Sequence, residues 1–144
     1  MPPRNDPYAA FNFLVEIDGV TAAAFTECSG IATETDVIEY REGADKQARV
    51  RKLPGLTKFT NIVLKRGITT NQELWNWRKE IMDGLIDRRS VVIALLDGAR
   101  NTVLRFQLHE AWPCKWEGPH LKAKNSEVAI ETLELAYEGL DVES

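Results

Sequence analysis

The chain is poor in the residues on which most small enzymes and metal proteins depend. It has two histidines, His109 and His120, and two cysteines, Cys28 and Cys114. The histidines stand in no H-E-x-x-H arrangement and have no carboxylate at ligand spacing, so each reads as a surface or interface side chain. The cysteines lie 86 positions apart, which excludes a metal-spaced cluster and fits two buried thiols in a reducing cytosol better than a disulfide. Cys28-Ser29-Gly30 is not part of a G-x-S-x-G elbow, and no base or oxyanion hole accompanies it. Gly67 and Gly84 are isolated, and no GKS or GKT follows a strand, so no phosphate loop is present. No catalytic residue, metal ligand or cofactor site is assigned, and the expectation is a protein that is not an enzyme.

Long apolar runs are also missing. No stretch of 18 apolar residues occurs, which excludes a transmembrane helix. The N-terminal MPPRNDPYAAFNF has one Arg but no apolar core with a small-residue cleavage site, so no secretory signal is expected. What remains is an ordinary globular balance: 144 residues, 44% hydrophobic and 28% charged. A chain of this length buries about 70% of its unfolded surface, enough for one core without staples.

The net charge is −4, but its distribution is uneven. Residues 41–66 carry eight basic side chains (Arg41, Lys46, Arg49, Arg51, Lys52, Lys58, Lys65, Arg66) against Glu42 and Asp45. Residues 125–144 carry six acids (Glu127, Glu131, Glu134, Glu138, Asp141, Glu143) and no base. Two solvated faces that never meet would account for this. Complementary surfaces of neighbouring copies would account for it equally, with charge steering encounter and fixing register. A single-stranded nucleic acid could use the basic stretch beside Tyr40 and Phe59, but the chain is acidic and lacks an RNA-binding fingerprint.

Period-2 alternation predicts a strand over Phe11–Ile17, and Asp18-Gly19 predicts a hairpin returning through residues 22–29. A further strand around residues 37–42 runs into the basic segment. Residues 43–57 show no apolar period and hold the Pro54-Gly55 pair, which predicts a long loop of the kind that is functional or disordered. A strand resumes over residues 59–67, with Ile62 and Leu64 on one face. Thr70-x-x-Glu73 predicts a capping box opening a helix that ends near Asp87, with Leu74, Trp77, Ile81 and Leu85 as its core stripe and Met82 and Ile86 widening it. Strands follow at 91–98 and 101–118, with Pro113 making Trp112–Trp116 an edge or a bulged corner. The last strand, 127–140, shifts its inward set from Val128 and Ile130 to Leu133, Leu135 and Tyr137, which predicts a bulge or a strand bridging two environments. Glu131 and Glu134 read there as a solvated or interface face. Six or seven strands and one helix result.

An ordered set of these segments resembles one family. RKLPGLTKFTNIVLKRGIT (51–69), the helix with LWNW (74–77), AWPCKWEGP and EVAIETLELAYEGL follow FxFxVEIDG and CSGIATETDVIEYREG, together covering about Pro7 to Leu140. The chain is similar to the tail tube proteins of contractile phage tails and contractile injection systems. The resemblance implies a mainly β fold, an antiparallel sandwich or partial barrel with one flanking helix. It places a single domain at 7–140, between an N-terminal arm (1–6) and a C-terminal tail (141–144). It further implies six-membered rings stacked head to tail around a channel for DNA or effector passage. The implied partners are other copies of the chain, a sheath, a baseplate hub or spike, a tail terminator and cargo in the lumen, with no membrane insertion. Assembly in a bacterial or archaeal cytoplasm is implied, before incorporation into a virion, an extracellular particle or an envelope-anchored apparatus.

In this family the long loop reaches the adjacent ring. The expected stacking interface is therefore Arg41, Lys46, Arg49, Arg51, Lys52, Pro54 and Gly55 against Glu138, Asp141 and Glu143 of the next copy. The alternatives are a tube initiator or terminator, whose relatives often carry an added peptidoglycan-binding domain, and a small β-barrel that binds a ligand.

Overall fold

The computed structural model describes residues 6–10, 12–18, 20, 25–41, 43, 49–124 and 127–144. Among them the elements run β1 (Phe13–Ile17), β2 (Glu27–Ser29), β3 (Thr33–Tyr40), β4 (Arg51–Phe59), β5 (Ile62–Gly67), α1 (Glu73–Met82), β6 (Arg89–Leu96), β7 (Thr102–Glu117), β8 (Ile130–Ala136) and β9 (Gly139–Glu143). All strand pairings are antiparallel. One layer is ordered β1–β6–β7–β9 and the other β2–β5–β8–β7. The long β7 belongs to both: its first part pairs with β6 and β9, and Trp112–Glu117 pairs with β8. It changes layer at Glu110, whose φ is +55°, and a bulge follows between Pro113 and Lys115. Pro113, with no N–H to offer a ladder, sits at this corner. The described strands form no closed barrel.

Alternation explains the core. Val15, Ile17, Val91, Ile93 and Leu108 from one layer meet Ile62, Leu64, Leu133 and Leu135 from the other, all buried. Leu74 and Trp77 of α1 complete this cluster, with the helix lying against β7. The charged residue Glu16 points outward between Val15 and Ile17, as a half-buried strand requires.

Several sequence expectations change. The segment after β1 does not return against it: β1 pairs with β6, and β2 pairs with β5. Gly19 and residues 21–24 lie outside the described residues. The capping box does not form. Gln72 is the N-cap without a side-chain bond, and Asn71 Oδ1 instead accepts the Glu73 N–H at 2.8 Å. A short Asn side chain two residues ahead captures that donor before the Thr can. The helix also stops early. Asp83 and Gly84 (φ +87°) close it, with Leu85 N–H donating to Glu80 O at 3.0 Å and Gly84 N–H to Ile81 O at 3.1 Å. This paired-bond ending needs a left-handed residue, which Gly supplies at little strain. Leu85 therefore falls beyond the helix and is 59% exposed, contrary to its expected place in the stripe, while Ile81 is half-buried. Met82 and Ile86 are exposed as well.

At the C-terminus the expected single strand is two, β8 in one layer and β9 in the other. The inward set of β8 does not shift. Glu131, Leu133 and Leu135 alternate inward without a break, followed by Tyr137. Glu131 is 3% exposed, so it does not belong to a solvated face.

Candidate assembly interface

The expected loop at 43–57 is a strand from Arg51 onward. β3 and β4 form a two-stranded ribbon outside both layers. All eight residues of β3 are exposed, and in β4 only Gly55 and Phe59 are partly covered. Thr35 and Thr57 share a hydroxyl hydrogen bond at 3.0 Å, and Lys58 approaches Asp36 at 3.9 Å. Neither cross-strand pair buries anything. The ribbon nevertheless carries Val37, Ile38, Tyr40, Leu53 and Leu56, all exposed.

Register sorts these residues onto two faces, because directly opposed residues share a side and successive ones alternate. Ile38 opposes Leu53 and Tyr40 opposes Arg51, giving one face an apolar patch edged by a guanidinium. Val37 opposes Pro54 and Glu39 opposes Lys52 on the other face. Arg51 and Lys52, expected to act together, thus point to opposite sides. Gly55 sits at the bulge where the register slips between Thr35 and Val37. Arg41 follows β3 and Arg49 precedes β4, both exposed, while Lys46 lies outside the described residues.

The expected basic surface is smaller than its sequence count. Arg66 is 5% exposed, its Nε donating to Glu131 Oε1, while Trp116 Nε1 donates to Glu131 Oε2 at 3.0 Å. Lys65 pairs with Glu27 at 3.8 Å on the outer side of the sheet. The acidic set is also partly engaged within its own chain. Glu138, in the turn between β8 and β9, approaches Arg88 at 3.4 Å. Asp141 meets His109 Nε2 at 2.6 Å. Glu143 stands opposite Arg105 in the β9–β7 register. The three acids are brought together on one short stretch, and the basic ribbon residues on another.

A second exposed apolar surface lies past the end of α1. Ile81, Leu85, Ile86 and Trp112 line a cleft of about 180 Å³ with Asp87 and Arg88 at its rim. Below it, Arg89 stacks over Trp77 at 4.8 Å and clamps Asp87 through two bonds of 2.8 and 3.1 Å. That clamp holds the Asp87 carboxyl below the ordinary carboxylate range, while its hydrogen bond to Asp87 pushes Glu80 up. Sequence reading missed the ribbon's apolar residues as an interface: the alternation over 37–42 marks Val37, Ile38 and Tyr40 as strand, while Leu53 and Leu56 fall in the expected loop.

Burial pushes the Cys28 thiol up to about 11 and also raises Cys114, so both are protonated at neutral pH and poor nucleophiles. Among the described residues no group of three metal-ligating side chains is found. Among the described residues no helix is long and apolar enough to cross a membrane.

Among curated protein sequences none matches. The fold is shared with a chain of the PVC sheath–tube complex, an extracellular contractile injection system in its extended state: TM-score 0.86, 24% identity, covering 96% of this chain and 92% of that one. It is shared with a chain of the anti-feeding prophage tube-terminating cap, at TM-score 0.89, 23% identity, 100% and 95% coverage. A chain of the anti-feeding prophage baseplate gives TM-score 0.85, 26% identity and 97% coverage of both. The family model described as T4-like virus tail tube protein gp19 matches residues 9–141, and on that span the chain belongs to this tail tube family.

Proposed function

We propose that this chain is a structural subunit of the inner tube of a contractile tail or injection system, assembling as stacked hexameric rings around a central channel that passes DNA or effector protein. The observation that carries this reading is the β3–β4 ribbon, which exposes five large apolar side chains on an arm with no cover of its own. An isolated two-stranded hairpin is marginal in water, and an edge-rich β protein needs its open strands paired or covered. A neighbouring copy supplies both. Ring stacking is a heterologous contact and needs two different surfaces. The ribbon, with Arg41, Arg49, Arg51, Lys52, Pro54 and Gly55, is one; the stretch holding Glu138, Asp141 and Glu143 is the other. A sheath outside, a baseplate hub below and a terminator above are the further partners. The chain's role is mechanical and involves no catalysis, and assembly takes place in the cytoplasm.

A capping role is the second reading, favoured by the likeness to the tube-terminating cap. Negative-stain electron microscopy of the purified protein, beside its light-scattering mass, separates the two. Hollow tubes of stacked rings are the expected outcome. Single rings that never stack would favour the cap, and a strict monomer at high concentration would count against both.

A further inference from the structure

β2 and β5 are paired, β3 and β4 are paired, and each strand of the first pair runs directly into one of the second. Residues 27–41 and 49–67 are therefore the two sides of one long antiparallel ribbon with a bend partway along it, at 30–32 on one side and 60–61 on the other. At this bend Gly30 has φ +93°. A Cβ there would fall far inside contact distance of the Asn61 carbonyl oxygen and 3.2 Å from its carbon. Both the backbone conformation and the close crossing thus require glycine. Thr60 N–H donates to Ala32 O at 3.1 Å and holds the two sides together. Asn61 Nδ2 donates to Glu134 Oε2 at 3.1 Å and reaches Cys114 Sγ at 3.7 Å, which fastens the bend to β8 and β7.

Resting on the stacking role given above, we propose that this crossing is a fixed elbow: Gly30 and Asn61 aim the β3–β4 ribbon at a second copy of the chain. The sandwich holds the bend, while the ribbon beyond it is exposed along its length. Small angles at such a lever become large displacements. Eight residues of strand span about 26 Å, so a 10° error, roughly, moves the tip by about 5 Å, a whole interstrand spacing. A heterologous contact that must repeat from ring to ring does not tolerate that.

Gly30→Ala tests the elbow, read by tube length in negative stain and by thermal melting of the unassembled protein. A misaimed subunit keeps its receiving surface, so it should add to one end of a growing tube and stop it. Pure Gly30→Ala protein should form no long tubes. Doped at about one part in twenty into wild-type protein, it should shorten tubes several-fold, which an unfolded variant would not do. Tubes of wild-type length, pure or doped, would overturn the elbow. If Gly30→Ala does not fold, Asn61→Ala decides: it should melt like wild type and give shortened tubes, and normal tubes would overturn the proposal. Ile38→Asp, on the ribbon itself, separates the two ideas. If it blocks tubes and the elbow variants do not, the elbow alone falls; if it builds normal tubes, the stacking role falls and the elbow with it.

Discussion

Two antiparallel pairs in this molecule, β3–β4 and β5–β8, meet where β4 runs into β5 and have opposite fates. In the β5–β8 pair, Ile62, Leu64, Leu133 and Leu135 are all buried, and one strand face is sealed into the core. In the β3–β4 ribbon, a few residues upstream, Ile38 opposes Leu53 and Val37 opposes Pro54, yet these side chains face solvent. Apolar content does not distinguish them. What differs is that the first pair has a second layer to cover it and the second has none. The sandwich is folded for the chain itself, whereas the ribbon carries surface that only another molecule can bury. Perturbations of the first pair should register in stability, and perturbations of the second in assembly.

The largest stability effect should come from the charge inside the β5–β8 pair. Glu131→Ala leaves the buried Arg66 and the part-buried Trp116 N–H without their acceptor. Breaking one partner of a buried pair costs about 3–5 kcal/mol, which a denaturant melt of the unassembled protein would read directly. Replacing both residues, as Arg66→Met with Glu131→Leu, should recover most of that loss, because buried pairs are often neutral against apolar residues of similar volume. A double variant as unstable as the single would show that the pair contributes more than mutual neutralisation.

This pair also shows where the sequence was opaque. The β8 alternation was visible at Leu133, Leu135 and Tyr137, but a Glu in phase with them read as a change of face. Its partner is 65 residues away, and no local pattern announces that a strand's inward charge will find one. Half of the ribbon, β4, was hidden for the complementary reason, while β3 was legible around residues 37–42. Burial on one side writes period-2 polarity into a strand, and a ribbon with neither face buried has nothing to write. Residues 51–57 therefore looked like a loop. The core strands, the single helix and the corner at Pro113 were legible because each rests on local chemistry (alternation, a 3.6-residue stripe, a missing N–H), whereas the sandwich was implied only by the family resemblance. The early helix end was not, since Leu85 continues the apolar spacing and only the Gly84 ending overrides it.

A middle-sized effect is expected at the clamp beneath α1. Asp87 is held below the ordinary carboxylate range by its bonds to Arg89. A carboxylate depressed in the folded state adds stability above its unfolded pKa, near 4, and that contribution is lost as pH falls through the lower folded value. Asp87→Asn should cost about 1 kcal/mol at neutral pH, allowing for screening of a partly exposed pair. It should also flatten the decline in stability below about pH 4 relative to wild type. Melts from pH 7 down to pH 2 would show it; an unchanged acid limb in the variant would assign that decline to other carboxylates.

The smallest stability effect and the sharpest contrast belong to the ribbon. Arg51→Glu and Lys52→Glu alter adjacent, exposed positions, so each should change stability by less than about 0.5 kcal/mol. Their effects on assembly should differ from each other, because Arg51 flanks the Ile38–Leu53 patch and Lys52 stands beside Glu39 on the opposite side. If the apolar face meets the next copy, reversing Arg51 shortens or abolishes tubes, while reversing Lys52 leaves them closer to wild type. Trypsin gives an independent reading, since exposed ribbon lysines and arginines should be cleaved in free protein and protected in tubes. Equal effects of the two reversals would mean that both faces are buried on stacking, with the ribbon inserted between copies and not laid upon one. Tubes unchanged by either would return the ribbon to solvent and leave its apolar residues without a physical account.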